Sequence, residues 1–589
     1  MSSSADVLAS SGAAPRENSH DHVLRPRPRK PQHAQVSALS RMSSAEGETT
    51  ETANHHTLTS TESGTGSGRT SGRSTPIPEN APPSVKTLSS ARRHARAQRI
   101  FPTIEFASRV SHFDPASDYR DFHGFFNLFW IGLAIMGITT MLRNTKDTGF
   151  PLRFQIWSLF TVKLGHLAVA DALMVGSTVV SMGIHELSRR APAGGVWTWS
   201  RGGMALQSVY QVLWFSIWVV TPFWLEWTWT AQVFFLLHTM VMLMKMHSYA
   251  FYNGHLSETE KRLRRLDGPT SDADRGPAYV YPSPDDKPTS PPSSSSPTAE
   301  KKPQEGDDDA NANANAIAND DKDNQSAGDV QALREDLARE LTSPLGNVTY
   351  PRNLTWSNYL DYLLCPTLCY ELEYPRVDRI NWTSLISKII ATFGCIFLLT
   401  VVSEDFILPV LTDAAQRLHP PRAISPQPPP LAESLLILAE SISWLLFPFM
   451  LTFLLVFLVI FEYVLGAFAE ITRFADRHFY SDWWNSTDWM EFSREWNVPV
   501  YSFLRRHVYS ASRPHIGKSP ATVITFLISA VGHEIVMACI TKKIRGYGFV
   551  CQMLQLPIFV MQRTRWVRGR QTLNNVFFWA SMIMGLSVK

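Results

Sequence analysis

The chain has 589 residues, 55 Lys and Arg against 52 Asp and Glu for a net charge of +3, 44% hydrophobic residues and a mean hydropathy of −0.10. Length alone would allow several soluble domains. The distribution of residues excludes that: apolar runs long enough to cross a bilayer, which takes about 20 residues, alternate with two long polar tracts that pull the average down.

The first tract, Met1 to about Arg96, is rich in Ser, Thr, Gly, Pro and His and nearly devoid of large apolar side chains. It cannot bury enough surface to offset its ordering entropy, so residues 1–96 are expected to be a disordered tail. Its start, MSSSADVLASSGAAPRENS, has no apolar core of a cleavable signal, so an internal span is expected to direct insertion.

Candidate spans then follow at Phe125–Leu142, Ile156–Ile184, Ala205–Leu225 and Ala231–Tyr249 within a first membrane block, residues 97–266. The second tract, 267–332, holds SPPSSSSP and EGDDDANANANAIANDD, and this low complexity predicts a flexible insertion. The second block, 333–589, contains Leu385–Val402, one or two crossings in Leu435–Phe468, Thr522–Ile540, Gly548–Met561 and Asn575–Val588. The fold class is therefore an all-α polytopic membrane protein with about nine transmembrane helices.

Basic clusters flanking the spans (ARRHARAQR, SRR, KRLRR) put the N-terminus and the segment 479–518 on the cytosolic side. TKKIR, Thr541–Arg545, conflicts with a full crossing by Thr522–Ile540, which suggests a shallow or re-entrant helix. The sequons at Asn347, Asn353, Asn381 and Asn485 would be cytosolic and unglycosylated. Five cysteines fit neither a zinc site nor a disulfide framework and read as buried or lipid-facing thiols.

Four aromatic-polar clusters fall on one side: MKMHSYAFYNG (Met244–Gly254), PTLCYELEYPR (Pro366–Arg376), FYSDWWN (Phe479–Asn485) and the segment after it. They suggest a shared site, although each would also serve as an interface belt. Asp488 with Glu491 forms a capping-box pattern that starts a helix bearing Trp489, Phe492 and Trp496 on one face. Asn497, followed by Val498 and Pro499, then sits at a fixed helix end. An interfacial helix without catalytic duty explains the same pattern.

His533 lies in the middle of TFLISAVGHEIVMACI. An ionisable group at that depth is either functional or hydrogen-bonded to a neighbouring helix. Glu534 projects about 100° away, whereas Ser529 shares the histidine's face and is placed to bond its ring or a substrate. HEIVM is not a zinc-protease motif, because Met537 holds its last position. Gly517-Lys518-Ser519 is not a P-loop, because Ser512 replaces the first glycine, and no G-x-S-x-G elbow occurs. His185-Glu186 adjoins Ser188, Arg189 and Arg190 and reads as a surface pair.

MKMHSYAFYNG, PTLCYELEYPR, FYSDWWN, WNVPV and His533-Glu534, in this order along the chain, together resemble the membrane-bound O-acyltransferase family, and within it the sterol O-acyltransferase and diacylglycerol acyltransferase branch. RFADRHFYSDWWN…EFSREWNVPVYSFLRRHVY and residues 519–587 are most similar to the fungal steryl-ester-forming enzymes. The resemblance covers about Asp121 to the end, apart from the insertion. It implies a general base at His533 assisted by Asn497, and acyl-CoA binding by Phe479, Tyr480, Asp482, Trp483, Trp484, Asn485 and Trp496, with Lys518 on the CoA side and Ser529 near the histidine.

Tyr501 stands where related enzymes often carry histidine, so any CoA contact made there does not carry over. The implied substrates are a fatty acyl-CoA and a lipid alcohol, with a sterol preferred over diacylglycerol. Direct transfer needs no metal or redox cofactor. The resemblance further implies a homo-oligomer in the endoplasmic reticulum membrane, and no nucleic-acid partner is expected. A lipid transporter or sensor is the non-enzymatic rival, although no inverted repeat of interrupted spans favours transport.

Overall fold

The computed structural model describes residues 104, 106–113, 123–152, 163–192, 195–267, 331–344, 346–419, 429–564, 567 and 569–588. The expected tail, 1–96, and nearly all of the expected insertion, 268–330, lie outside the described residues, as does the start of the second predicted span.

The described chain is helical. In the first block it runs through α1 (His123–Thr148), α2 (Leu164–Ser177), α3 (Val180–Arg190), α4 (Met204–Trp224) and α5 (Trp229–Leu266). The second block has α6 (Trp356–Leu364), α7 (Trp382–Val402), α8 (Leu408–Leu418), α9 (Leu431–Phe457), α10 (Leu465–Ile471), α11 (Trp489–Glu495), α12 (Val498–Phe503), α13 (Ser510–Ile516), α14 (Lys518–Thr541), α15 (Tyr547–Gln562) and α16 (Gln571–Val588).

Seven of the described helical runs are long and apolar enough to cross a membrane, and α15 and α16 are the two shorter helices that bring the total to the expected nine. The Leu435–Phe468 region is one run, 431–471, continued through a π-helical stretch at Leu458–Val464. The run that begins at Trp382 extends to Leu418, well past the predicted end at Val402. Apolar residues face outward as expected of helices in lipid: along α1, Phe125, Leu128, Ile131, Ile135, Ile138 and Leu142 are all exposed. This is a multi-pass membrane protein.

Three of the four aromatic-polar clusters converge on one buried core. Tyr249 and Tyr252 of α5 meet Tyr370 and Tyr374, and the same cluster takes in Phe479, Tyr480 and Trp483. Polar pairs lock the elements together. Lys245 donates to the carbonyls of Tyr362 (2.9 Å) and Cys365 (2.7 Å). Ser248 accepts from the Tyr370 amide and pairs with His507, each at 2.8 Å. Arg506, 1% exposed, binds the Glu371 carboxylate at 2.8 Å. The expected sharing among the clusters is real, and what they share is a packed scaffold.

Gly254 marks the tightest approach in this scaffold. A Cβ there would sit 2.0 Å from the Trp199 indole, so the ring rests directly on the α5 backbone. Four of the five cysteines are buried and Cys551 is exposed.

Candidate active site

His533 is the sixteenth residue of α14, and its ring is exposed, so it faces accessible space rather than an enclosed core. Its Nδ1 lies 2.8 Å from the backbone carbonyl of Ser529. A carbonyl only accepts, so Nδ1 carries a hydrogen, and the neutral form of the ring has its lone pair on Nε2. The ring is held by the backbone carbonyl of Ser529, while the Ser529 hydroxyl accepts from Gln552 Nε2 at 3.3 Å.

Gln552 in turn accepts from Gln555 at 3.1 Å, giving a polar ladder beside the histidine that sequence reasoning missed. Two glutamines three residues apart in the apolar stretch YGFVCQMLQLPIFVM were the available signal.

Glu534 points elsewhere, as the 100° offset requires. Its carboxylate accepts the amides of Arg545 (3.2 Å), Gly546 (2.6 Å) and Phe549 (3.1 Å). The Gly546 and Phe549 amides are orphan donors at the start of α15, where a negative charge is favoured. Lys542 and Gly546 both adopt positive φ in this turn, which folds α15 back along α14.

Asn497 caps α12: its Oδ1 accepts the Val500 amide at 3.1 Å, and Pro499 occupies the first turn. With that oxygen committed, the amide N–H is the group left to offer. Upstream, Asp488 accepts the Glu491 amide at 2.7 Å, while Glu491 reaches back to Thr487, one residue earlier than an ideal capping box requires. The π-helical turn Leu504–Tyr509 after α12 packs on α14, so the elements bearing Asn497 and His533 are joined through it.

FYSDWWN divides in two. Phe479, Tyr480 and Trp483 are 3%, 1% and 1% exposed and belong to the core. Tyr480 donates to Glu462 at 2.9 Å, Ser111 reaches the same carboxylate at 2.5 Å, and Lys388 pairs with it at 3.1 Å. Trp483 meets Trp496 edge-on at 5.2 Å, and Trp496 stacks on Phe453 at 4.9 Å. The Trp484 carbonyl accepts from Asn575 and Trp579 of α16. Ser481, Asp482 and Trp484 are half-buried and Asn485 is exposed, so these four are the side chains of the segment that reach the surface.

Close by, burial together with the carboxylates of Glu491 and Asp482 pushes Glu495 up to about 8, and burial pushes His478 down to about 4. Lys518 opens α14, exposed, about 22 Å from His533 by helical rise. That separation keeps Lys518 out of contact with the histidine.

His185 requires a correction. It is 1% exposed, with Nε2 3.1 Å from the Tyr350 hydroxyl and its ring against Trp199, so it is a core residue. Burial comes from elements distant in sequence, which the neighbouring arginines conceal.

The profile described as "MBOAT, membrane-bound O-acyltransferase family" matches residues 196–589. The chain belongs to this family. Among family members, it is 35% identical over 497 residues to the probable sterol O-acyltransferase 2 of Schizosaccharomyces pombe, spanning 84% of this chain and 92% of that one. It is 30% identical over 500 residues to the sterol O-acyltransferase 2 of Candida albicans, spanning 83% of this chain and 78% of that one. The diacylglycerol O-acyltransferase 1 of Dictyostelium discoideum matches at 30% over 254 residues, 43% of this chain and 39% of that one.

Proposed function

We propose that this membrane-bound O-acyltransferase is an acyl-CoA:sterol O-acyltransferase, forming steryl esters from a long-chain acyl-CoA and an ergosterol-type sterol in the endoplasmic reticulum membrane. The observation that carries the choice of acceptor is coverage: the likeness to chains named sterol O-acyltransferase runs through 84% of this one, against 43% for the diacylglycerol enzyme.

In the mechanism, Nε2 of His533 takes the sterol hydroxyl proton as the oxygen attacks the thioester carbonyl, a role worth about 10²–10⁴ in rate. The Asn497 amide N–H donates to the developing oxyanion. Collapse expels the CoA thiolate, which takes the proton from the imidazolium and restores the neutral ring. Asp482, Trp484 and Asn485 lie toward the CoA, and Lys518 meets its phosphates at the far end of α14. The acyl chain and sterol enter among the membrane helices, and the assembly is a homo-oligomer.

The test is an acceptor swap with the purified full-length protein: labelled oleoyl-CoA supplied with ergosterol or with diacylglycerol. Steryl oleate as the main product supports the reading, and triacylglycerol as the main product overturns it. Absence of any CoA release with either acceptor would favour a transporter or sensor.

A further inference from the structure

A cleft of about 300 Å³ opens at the C-terminal end of α3, between that helix and the turn 351–356. It lies apart from His533 and from FYSDWWN. We propose that this cleft binds the phosphate headgroup of an anionic membrane phospholipid.

Its polar wall is His185, Glu186, Arg189 and Arg190. Arg189 grips Glu186 with two bonds of 2.9 Å, and Arg190 adds one through Nε at 2.6 Å. Two guanidinium groups against one carboxylate leave a net positive charge. The two terminal nitrogens of Arg190 make no hydrogen bond with described residues, and its side chain is 74% exposed. Lys261 sits beside them, its Nζ 3.5 Å from the Ser188 carbonyl and 3.9 Å from the Glu258 carboxylate, which balances its charge, so the net positive charge of the wall comes from the two arginines. A helix C-terminus by itself disfavours an anion, and these cations reverse the local sign.

The wall also holds a buried group with unused capacity. His185 is 1% exposed, and its Nδ1 has no hydrogen-bond partner among the described residues. Its Nε2 faces the Tyr350 hydroxyl. The Tyr350 hydroxyl either donates to Nε2 or accepts from it; when it donates, Nδ1 carries a hydrogen, and a buried donor without an acceptor costs free energy. An anion in the cleft would supply the acceptor. Phosphate matches the set, because paired guanidinium groups bind its oxygens through charge-assisted bonds.

The lipid source follows from α6. Trp356 lines the cleft, and Trp356, Leu360 and Leu364 recur every fourth residue, 65%, 59% and 44% exposed. They form one apolar face, while Tyr359 and Tyr362 are buried on the other. A short helix with that pattern lies along the bilayer surface, with its tryptophan at headgroup depth. The cleft therefore opens where phospholipid headgroups are, and acyl chains would run along the apolar face of α6.

The test places the full-length protein in phosphatidylcholine nanodiscs, with phosphatidate titrated into the lipid or inorganic phosphate titrated into the buffer. Retained lipid is counted by native mass spectrometry, and the thermal midpoint is followed in parallel. The expected result is saturable retention of one phosphatidate per chain with a rising midpoint. Arg190→Gln, whose exposed side chain leaves the fold intact, should weaken retention about tenfold, the cost of one charge-assisted hydrogen bond. Arg265→Gln, an exposed cation at the same end of the bundle but outside the cleft, should leave it unchanged. Equal weakening by both variants, or no saturable retention, overturns the proposal. Equal protection by inorganic phosphate overturns the lipid as its source.

Discussion

Nδ1 of His533 and the carbonyl oxygen of Ser529 stand 2.8 Å apart, one helical turn from each other on α14. The contact fixes which nitrogen holds the proton, and so which one can accept another. His533→Ala should lower kcat by about 10²–10⁴ while the protein purifies with an unchanged thermal midpoint, because the ring is exposed. Steryl ester formation at the wild-type rate in washed membranes would remove His533 from the mechanism.

Glu534 has a different duty from its neighbour. Glu534→Gln removes the charge that holds three backbone amides at the head of α15, and should destabilise the α14–α15 hairpin. The thermal midpoint should fall, and activity should fall less than for His533→Ala. An unchanged midpoint with abolished turnover would instead place Glu534 in the chemistry.

Within FYSDWWN the two groups of residues should respond oppositely. Tyr480→Phe leaves the Glu462 carboxylate short of a buried donor and should cost on the order of 1–3 kcal/mol, read as a lower thermal midpoint. Asn485→Ala should leave the midpoint alone and raise KM for acyl-CoA. If Asn485→Ala changes neither parameter, the exposed edge of the segment does not meet the substrate.

Glu495 supplies a pH signature. Its carboxyl titrates at about 8 in the fold against 4.5 for the ordinary group, because burial and the nearby carboxylates of Glu491 and Asp482 favour the neutral form. Its contribution to stability is complete below pH 4.5 and is lost as pH rises through 8. Glu495→Gln should therefore gain thermal midpoint relative to wild type progressively across that interval. A difference that does not vary with pH would mean the group is ionised throughout.

Gly254→Ala tests the contact beneath Trp199. The added methyl meets the indole at 2.0 Å, and the ring has a helix backbone in front of it. Overpacking of this kind costs about 1–3 kcal/mol, so the midpoint should drop. Trp199→Leu in the same chain should restore part of the loss, and failure of that rescue would locate the strain elsewhere.

The membrane spans were legible because lipid imposes length and apolarity on each helix separately. The caps at Asp488 and Asn497 were legible because their partners lie three residues away. The burial of Phe479, Tyr480 and Trp483 was not, since an aromatic run has the same composition on a surface as in a core. What decides is Glu462, Ser111 and α16, none of which adjoins the segment in sequence. His185 failed for the same reason: the local arginines suggest a surface, and Tyr350 and Trp199 bury it. The general-base assignment rested on family resemblance, and only the fold shows which ring nitrogen is held.

The anchoring of Trp484 also bears on how the protein is made. Its carbonyl waits for Asn575 and Trp579, about 90 residues further along. The FYSDWWN segment leaves the ribosome long before α16 does, so its final shape cannot be completed during most of synthesis. A nascent chain that has not yet made α16 would carry α14 beside an unfinished FYSDWWN scaffold. Competence to bind substrate would then arrive late in biogenesis, as a property of the finished polypeptide.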